Sequence, residues 1–446
     1  MTDAPAFLTT QLLVSIAVIL VMVHLILGLA GASTYLERKI SAYIQDRIGP
    51  NRVGFDLGLP ALFFLKHLWG MGQPLADGLK FFLKEDYTPR GADRTLFTLA
   101  PIVVVIPALI GFAILPWGGQ IDVGAWTVPL LDWRVPAQTV TIAAANINIG
   151  IIYLLAVGSL SIYGITLAGW SSNNKYSFLG ALRSSAQMLS YEIPMGLSIL
   201  TVLLMVGSLM PEKIIAWQAQ HGWLIIGQPL AAVIFFTCIL AECNRTPFDN
   251  AECEQELVGG YHTEYNAMRW GLFFLAEYSH MVTASAFFAL LFLGGYHLPL
   301  GWASNNHLLM PENATVLAAL VKFGVFLAKV IALIFLMMLV RWTIPRLKFD
   351  QIMGIAWNAV IPLSIGIVVV VAIMEFFHWD ATWQMCAANI VMGAIFMMLA
   401  PLTHRSTENK RVRIAGSRFY PLLGEKVVTT PTNPLAREDR PAHVTV

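Results

Sequence analysis

The chain has 446 residues, 57% of them hydrophobic and only 12% charged, with a formal net charge of +1. Soluble globular domains carry about 25% charged residues, so this balance excludes an ordinary water-soluble domain and makes lipid the solvent. Four cysteines, Cys238, Cys243, Cys253 and Cys386, are too few for a disulfide framework, and their spacing fits neither a zinc nor a common iron–sulfur site.

A membrane-spanning helix needs about 20 mostly apolar residues. Nine stretches qualify: 11–34, 95–117, 139–168, 180–208, 224–241, 269–294, 315–340, 357–377 and 383–402. Met1–Thr10 holds no Lys or Arg, so the first stretch lacks the basic lead of a signal peptide and reads as a permanent helix. After it, Gln73–Glu85 places Leu75, Leu79 and Phe82 at helical spacing, with Asp77, Lys80 and Lys84 elsewhere around the helix. That pattern predicts an amphipathic helix lying on the membrane face. The fold class is therefore an all-α polytopic membrane protein of about nine spans. A single transmembrane domain covers 1–402, and a polar tail rich in Pro and Thr covers 403–446.

Lys and Arg in the connections set the orientation. The segments 35–94, 169–183, 242–269 and 341–356, with the tail, hold 24 of the 28. Only Arg134 and Lys213 fall on the other side, and Lys322 and Lys329 lie inside a span. An odd number of helices then puts the N-terminus outside and the C-terminus in the cytoplasm, or in the matrix of an organelle.

The chemistry concentrates in AECNRTPFDNAECEQELVGGYHTEY, Ala241–Tyr265, where six acids meet one Arg, Arg245. Glu252, Glu254 and Glu256 alternate, so no helix face holds all three. The segment reads as a loop with short helical turns, folded partly back into the protein. A solvated acidic loop is the plainer alternative. Sheltered carboxylates placed close together repel, and some then hold protons near neutral pH. Glu192, Glu277 and Lys329 lie within spans, where an ionisable group is by default a functional-site hypothesis. With Glu242 and Asp249, these acids would form a wire entering the membrane from the cytoplasmic side. Arginines in Tyr35–Gly54 and Arg341–Met353 satisfy the charge bias and would also guide the polar head of an amphiphile.

Seven ordered motifs carry a family resemblance: ERK at 37–39, RIGPNRVG at 47–54, QPLADGLK at 73–80, SYE at 190–192, AECNRTPFD at 241–249, ELVGGYHTEY at 256–265 and PRLKFDQ at 345–351. The chain resembles the H-type membrane subunit family of respiratory complex I, NADH:quinone oxidoreductase. The resemblance implies a quinone chamber floored by Arg38, Arg47, Asp77, Lys80, Arg245 and Arg346. It implies an acidic proton path through Glu192, Glu242, Asp249, Glu252, Glu254 and Glu277. No metal or cofactor is expected on this chain; quinone is the substrate, and FMN and iron–sulfur clusters are expected in partner subunits. Those partners are the peripheral quinone-module and iron–sulfur subunits and the antiporter-like membrane subunits, with membrane lipid and no nucleic acid. The expected location is the bacterial inner membrane. Phe55–Gly72 is longer than in the family, Gly72 stands where Leu is usual, and the ninth span and tail exceed the eight-helix core. The competing readings are the homologous anchor of an energy-converting hydrogenase, an independent cation transporter and an inert anchor.

Overall fold

The computed structural model describes residues 2–3, 9–55, 68–128, 133–251, 253–298, 307–379 and 381–403. Residues 56–67 of the Phe55–Gly72 insertion, Glu252 and the tail from His404 lie outside the described residues. Contacts divide the chain into Met1–Ala394 and Ile395–Val446. Of the second unit, the described part is the end of the last helix.

Helix α1, Thr10–Ile44, starts where the Thr9 hydroxyl accepts the Leu12 N–H at 3.2 Å, a side-chain cap for an orphan donor. Its 35 residues reach about 52 Å, well beyond the ~30 Å hydrocarbon layer. The last turns, carrying Glu37, Arg38 and Lys39, therefore stand at the edge of that layer. The surface helix α2, Gln73–Leu83, begins at Gln73-Pro74. Leu75, Leu79 and Phe82 are exposed, as a lipid-facing stripe requires, while Phe81 packs against Trp270, ring centroids 5.4 Å apart.

The remaining helices are α3 (Arg94–Ile110, extended by a 3-10 turn to Ile114), α4 (Gly150–Ser171), α5 (Lys175–Val206), α6 (Pro211–His221), α7 (Leu224–Gly227), α8 (Pro229–Glu242), α9 (Glu254–Leu257), α10 (Ala267–Phe292), α11 (Val316–Thr343), α12 (Phe349–Ile355), α13 (Ile361–Phe376) and α14 (Thr382–Thr403). A π-turn, Ala356–Val360, joins α12 to α13. Among the described residues, eight helical segments are long and apolar enough to cross a membrane. The fifth expected span is different. Gln228-Pro229 interrupts it, because proline lacks the N–H that would continue α7, and α8 is left with 14 residues, about 21 Å. Pro194 lies inside α5 without ending it.

The third expected span, 139–168, also begins late. One small sheet orders its strands as β1 (Thr2–Asp3), β4 (Trp133–Val135) and β3 (Trp126–Val128). In a second, β2 (Gln120–Val123) pairs antiparallel with β5 (Gln138–Thr141) through Gln120↔Thr141 and Val123↔Gln138. The β-branched Thr139, Val140 and Thr141 suit a strand, and α4 starts only at Gly150.

Helix α10 is the axis of the core, packed by α1, α3 and α11, with every residue from Met281 to Phe292 buried. Its C-terminal end receives Lys329 of α11. That ammonium donates to the carbonyls of Leu293 at 2.6 Å and Gly295 at 2.7 Å, and to that of His297. The three acceptors are the C-cap residue Leu293 and two residues of the turn beyond it, and a cation at a helix C-terminus complements the helix dipole. This gives Lys329 a structural occupation, and Lys322, one face along, donates to the Asn313 carbonyl at 2.7 Å.

Candidate functional site

The segment after α8 folds back into the protein, as its composition predicts. Gln187 of α5, fully buried, donates its amide to the carbonyls of Ala241 at 2.9 Å and Phe248 at 2.7 Å. The Leu347 N–H reaches the Pro247 carbonyl at 3.2 Å. Those bonds hold Arg245, Asp249 and Asn250 inside, where all three are buried.

Arg245 stands at the centre of a buried charge network. Its Nη1 lies 3.0 Å from Glu37 Oε2, and its Nε 2.9 Å from Glu277 Oε1. The guanidinium sits 4.1 Å from the centroid of the Tyr278 ring, a cation–π distance. Glu37 also accepts from the Tyr278 hydroxyl and from Arg341 of α11. Burial opposes the charge on Arg245, but the carboxylates of Glu277 and Glu37 outweigh it and raise the guanidinium well above its ordinary pKa. One buried cation is thus shared between a carboxylate at the end of α1 and a carboxylate in α10.

Beside this cluster, Arg346 Nη2 meets Asp249 Oδ2 at 2.5 Å, and its Nη1 lies 3.5 Å from the Cys253 sulfur. Burial pushes the Asp249 carboxyl above the ordinary range, with Arg346 opposing that rise. Asp249 therefore titrates closer to neutrality than a surface aspartate.

On the other side of Glu277 is a cavity of about 30 Å³, lined by Glu242, Cys243, Glu277, His280, Ser161 and Tyr261 among others. That volume admits about one water molecule. Glu242, the last residue of α8, lies 3.4 Å from His280 Nε2. It also faces α4 at Gly158, where an added Cβ would stand 3.1 Å from Glu242 Oε1. The next residue of α4, Ser159, donates its hydroxyl to Glu192 of α5. Glu242 and Glu192 therefore approach the same turn of α4 from two sides.

Of the expected residues, Arg245 and Glu277 fall in one cluster, Arg346 and Asp249 in an adjacent pair, and Glu242 and Glu192 around α4. Arg38 and Asp77 meet at 2.7 Å, tying α1 to α2, with the Arg38 side chain 49% exposed. An ion pair this open contributes at most about 1 kcal/mol. Arg47 and Lys80 are exposed. Glu254 opens α9, its side chain lying outside the described residues, as does all of Glu252. Glu256 pairs with Arg183 at 2.5 Å. Sequence reasoning passed over Glu37, Tyr278 and His280, and it met Arg341 only as one of the interfacial arginines of Arg341–Met353. Glu37 stands in the quoted ERK motif, and Tyr278 and His280 follow Glu277 closely, so proximity to a chosen residue was the available signal.

The fold and site define a polytopic membrane subunit with a buried charge network at one end of its helices. The family model described as NADH dehydrogenase matches residues 16–372. The chain is 44% identical over 360 residues to the first H subunit of NADH-quinone oxidoreductase from Geobacter sulfurreducens, covering 80% of this chain and 93% of the relative. It is 43% identical over 343 residues to the first such H subunit of Cytophaga hutchinsonii, covering 76% and 90%. Against the NADH-quinone oxidoreductase H subunit of Flavobacterium psychrophilum it is 41% identical over 350 residues, covering 78% and 93%. The chain belongs to the family of NADH-quinone oxidoreductase H subunits, multi-pass membrane components of complex I. Helix α14, Thr382–Thr403, lies beyond the residues the family model matches.

Proposed function

We propose that this subunit converts the charge changes of quinone reduction into proton movement along its buried acids. The observation that carries the reading is the series of charged groups from Arg346–Asp249, beside Arg341–Glu37–Arg245–Glu277, which resumes across the small cavity at Glu242 and, past the α4 turn at Gly158-Ser159, at Glu192. Arg38, Arg47, Asp77, Lys80, Arg245 and Arg346 contribute to the floor of the quinone chamber, and Glu252 and Glu254 extend the acid series on the cytoplasmic side. Electrons arrive from an iron–sulfur cluster in a neighbouring peripheral subunit, and FMN and the other clusters likewise belong to partners. The protons leave toward antiporter-like membrane subunits. The host membrane is the bacterial inner membrane.

The step this chain supplies is electrostatic. Reduced quinone places negative charge in the chamber and takes up protons. A new unit charge about 8 Å from a carboxylate changes its energy by roughly 2 kcal/mol at an effective dielectric near 20, or about 1.5 pKa units. Because Arg245 is shared, a charge that draws it toward Glu37 weakens its hold on Glu277, and Glu277 then takes a proton. Coupled acids titrate as a set, so the shift passes to Glu242 and Glu192. The name the relatives carry, quinone oxidoreductase, favours this reading over a hydrogenase anchor.

Glu192→Gln tests it. The amide keeps the shape and a hydrogen bond to Ser159 but cannot carry a proton. The expected outcome is an assembled complex in which both quinone reduction and proton pumping fall, measured together in proteoliposomes. Unchanged rates of both would remove Glu192 from the path.

A further inference from the structure

We propose that His280 relays the proton between Glu277 and Glu242. The inference rests on the acid path proposed above and names the group that closes its one gap. Arg245 links Glu277 to the chamber side, and the turn at Gly158-Ser159 links Glu242 to Glu192. Besides Glu277 and Glu242, the cavity is lined by three further titratable groups, His280, Cys243 and Tyr261, and of these the imidazole is the one whose ordinary pKa lies near neutrality. It follows Glu277 by three residues on α10, so the two occupy neighbouring positions on one helix face. Its Nε2 is 3.4 Å from Glu242 Oε1, and all three side chains line the same cavity.

The imidazole suits this place for a chemical reason. Its two ring nitrogens allow it to accept a proton at one while releasing a proton at the other. In the relay the O–H bond of protonated Glu277 breaks and an N–H bond forms at Nδ1. The N–H bond at Nε2 breaks and an O–H bond forms on Glu242. One proton leaves Glu277 and one arrives at Glu242, and the ring regains its starting tautomer when the water the cavity admits takes the proton from Nδ1 and returns one to Nε2. The 3.4 Å separation exceeds a formed hydrogen bond, whose usual range is about 2.7–3.2 Å, so transfer needs a small approach of the two side chains. Such tightening is ordinary for transfer groups.

The test uses the whole complex in proteoliposomes, reading protons translocated per quinone reduced. His280→Asn keeps much of the volume and a hydrogen bond but has no titratable nitrogen, and it is expected to lower that ratio at least ten-fold. His280→Ala is expected to lose as much and to regain at least half of the ratio when imidazole is added. A wild-type ratio in His280→Asn, or a loss in His280→Ala that imidazole leaves unchanged, overturns the relay. Glu242→Gln run beside them separates the relay from the path it serves. If it abolishes pumping while His280→Asn is normal, the relay is wrong and the acid path stands; if both are normal, the path itself fails.

Discussion

Arg245→Met is expected to remove most of the subunit from the assembled complex. The Arg245 side chain is 5% exposed, and its two partners, Glu37 and Glu277, are 10% and 11% exposed. Methionine fills similar volume but takes the Arg245 cation away from Glu277 and leaves Glu37 with Arg341 and the Tyr278 hydroxyl. Breaking a buried pair by deleting one partner costs about 3–5 kcal/mol, because the stranded charge must be neutralised or drawn back into water. The double variant Arg245→Met with Glu277→Gln is expected to recover at least half of the lost complex. Residues in one ion-pair network depart from additivity in this way. Native gels of solubilised membranes measure both. Wild-type amounts of complex in the single variant would mean that the network does not hold the loop in place.

Glu277→Gln alone is expected to act on transport. Arg245 keeps Glu37, and the amide keeps the volume, so the complex assembles. Proton pumping falls at least ten-fold, because the group that exchanges charge with Arg245 no longer titrates. Simultaneous recording of quinone reduction and vesicle acidification distinguishes this from a folding defect. Normal pumping by an assembled Glu277→Gln complex would place the path elsewhere.

Much of this was readable from residues alone. Long apolar runs separated by basic connections gave the helices, and the isolation of Glu192 and Glu277 in such runs marked them. Arg245 was conspicuous as the one cation among six acids. What sequence could not supply were the partners. Glu37 meets Arg245 from 208 positions away, and Arg341 from 304. Flanked by Arg38 and Lys39, Glu37 reads as a surface charge; it is buried because the end of α1 packs under the folded-back loop. Hydropathy across 224–241 is blind to the break at Gln228-Pro229, since it averages side-chain character and ignores the missing N–H. The same averaging joined the strand at 138–141 to α4. Lys329 shows the converse: membrane depth suggested function, and three carbonyls at the end of α10 supply its structural occupation.

The central claim is that these carboxyl groups change protonation when quinone is reduced. Reduction-induced infrared difference spectra of the intact complex report it directly, through the carboxyl C=O stretch that only a protonated acid shows. The expected result is a carboxyl band that appears or shifts on quinone reduction and is altered by Glu277→Gln and by Glu242→Gln. A difference spectrum without a carboxyl band, or with one that both substitutions leave unchanged, would contradict it.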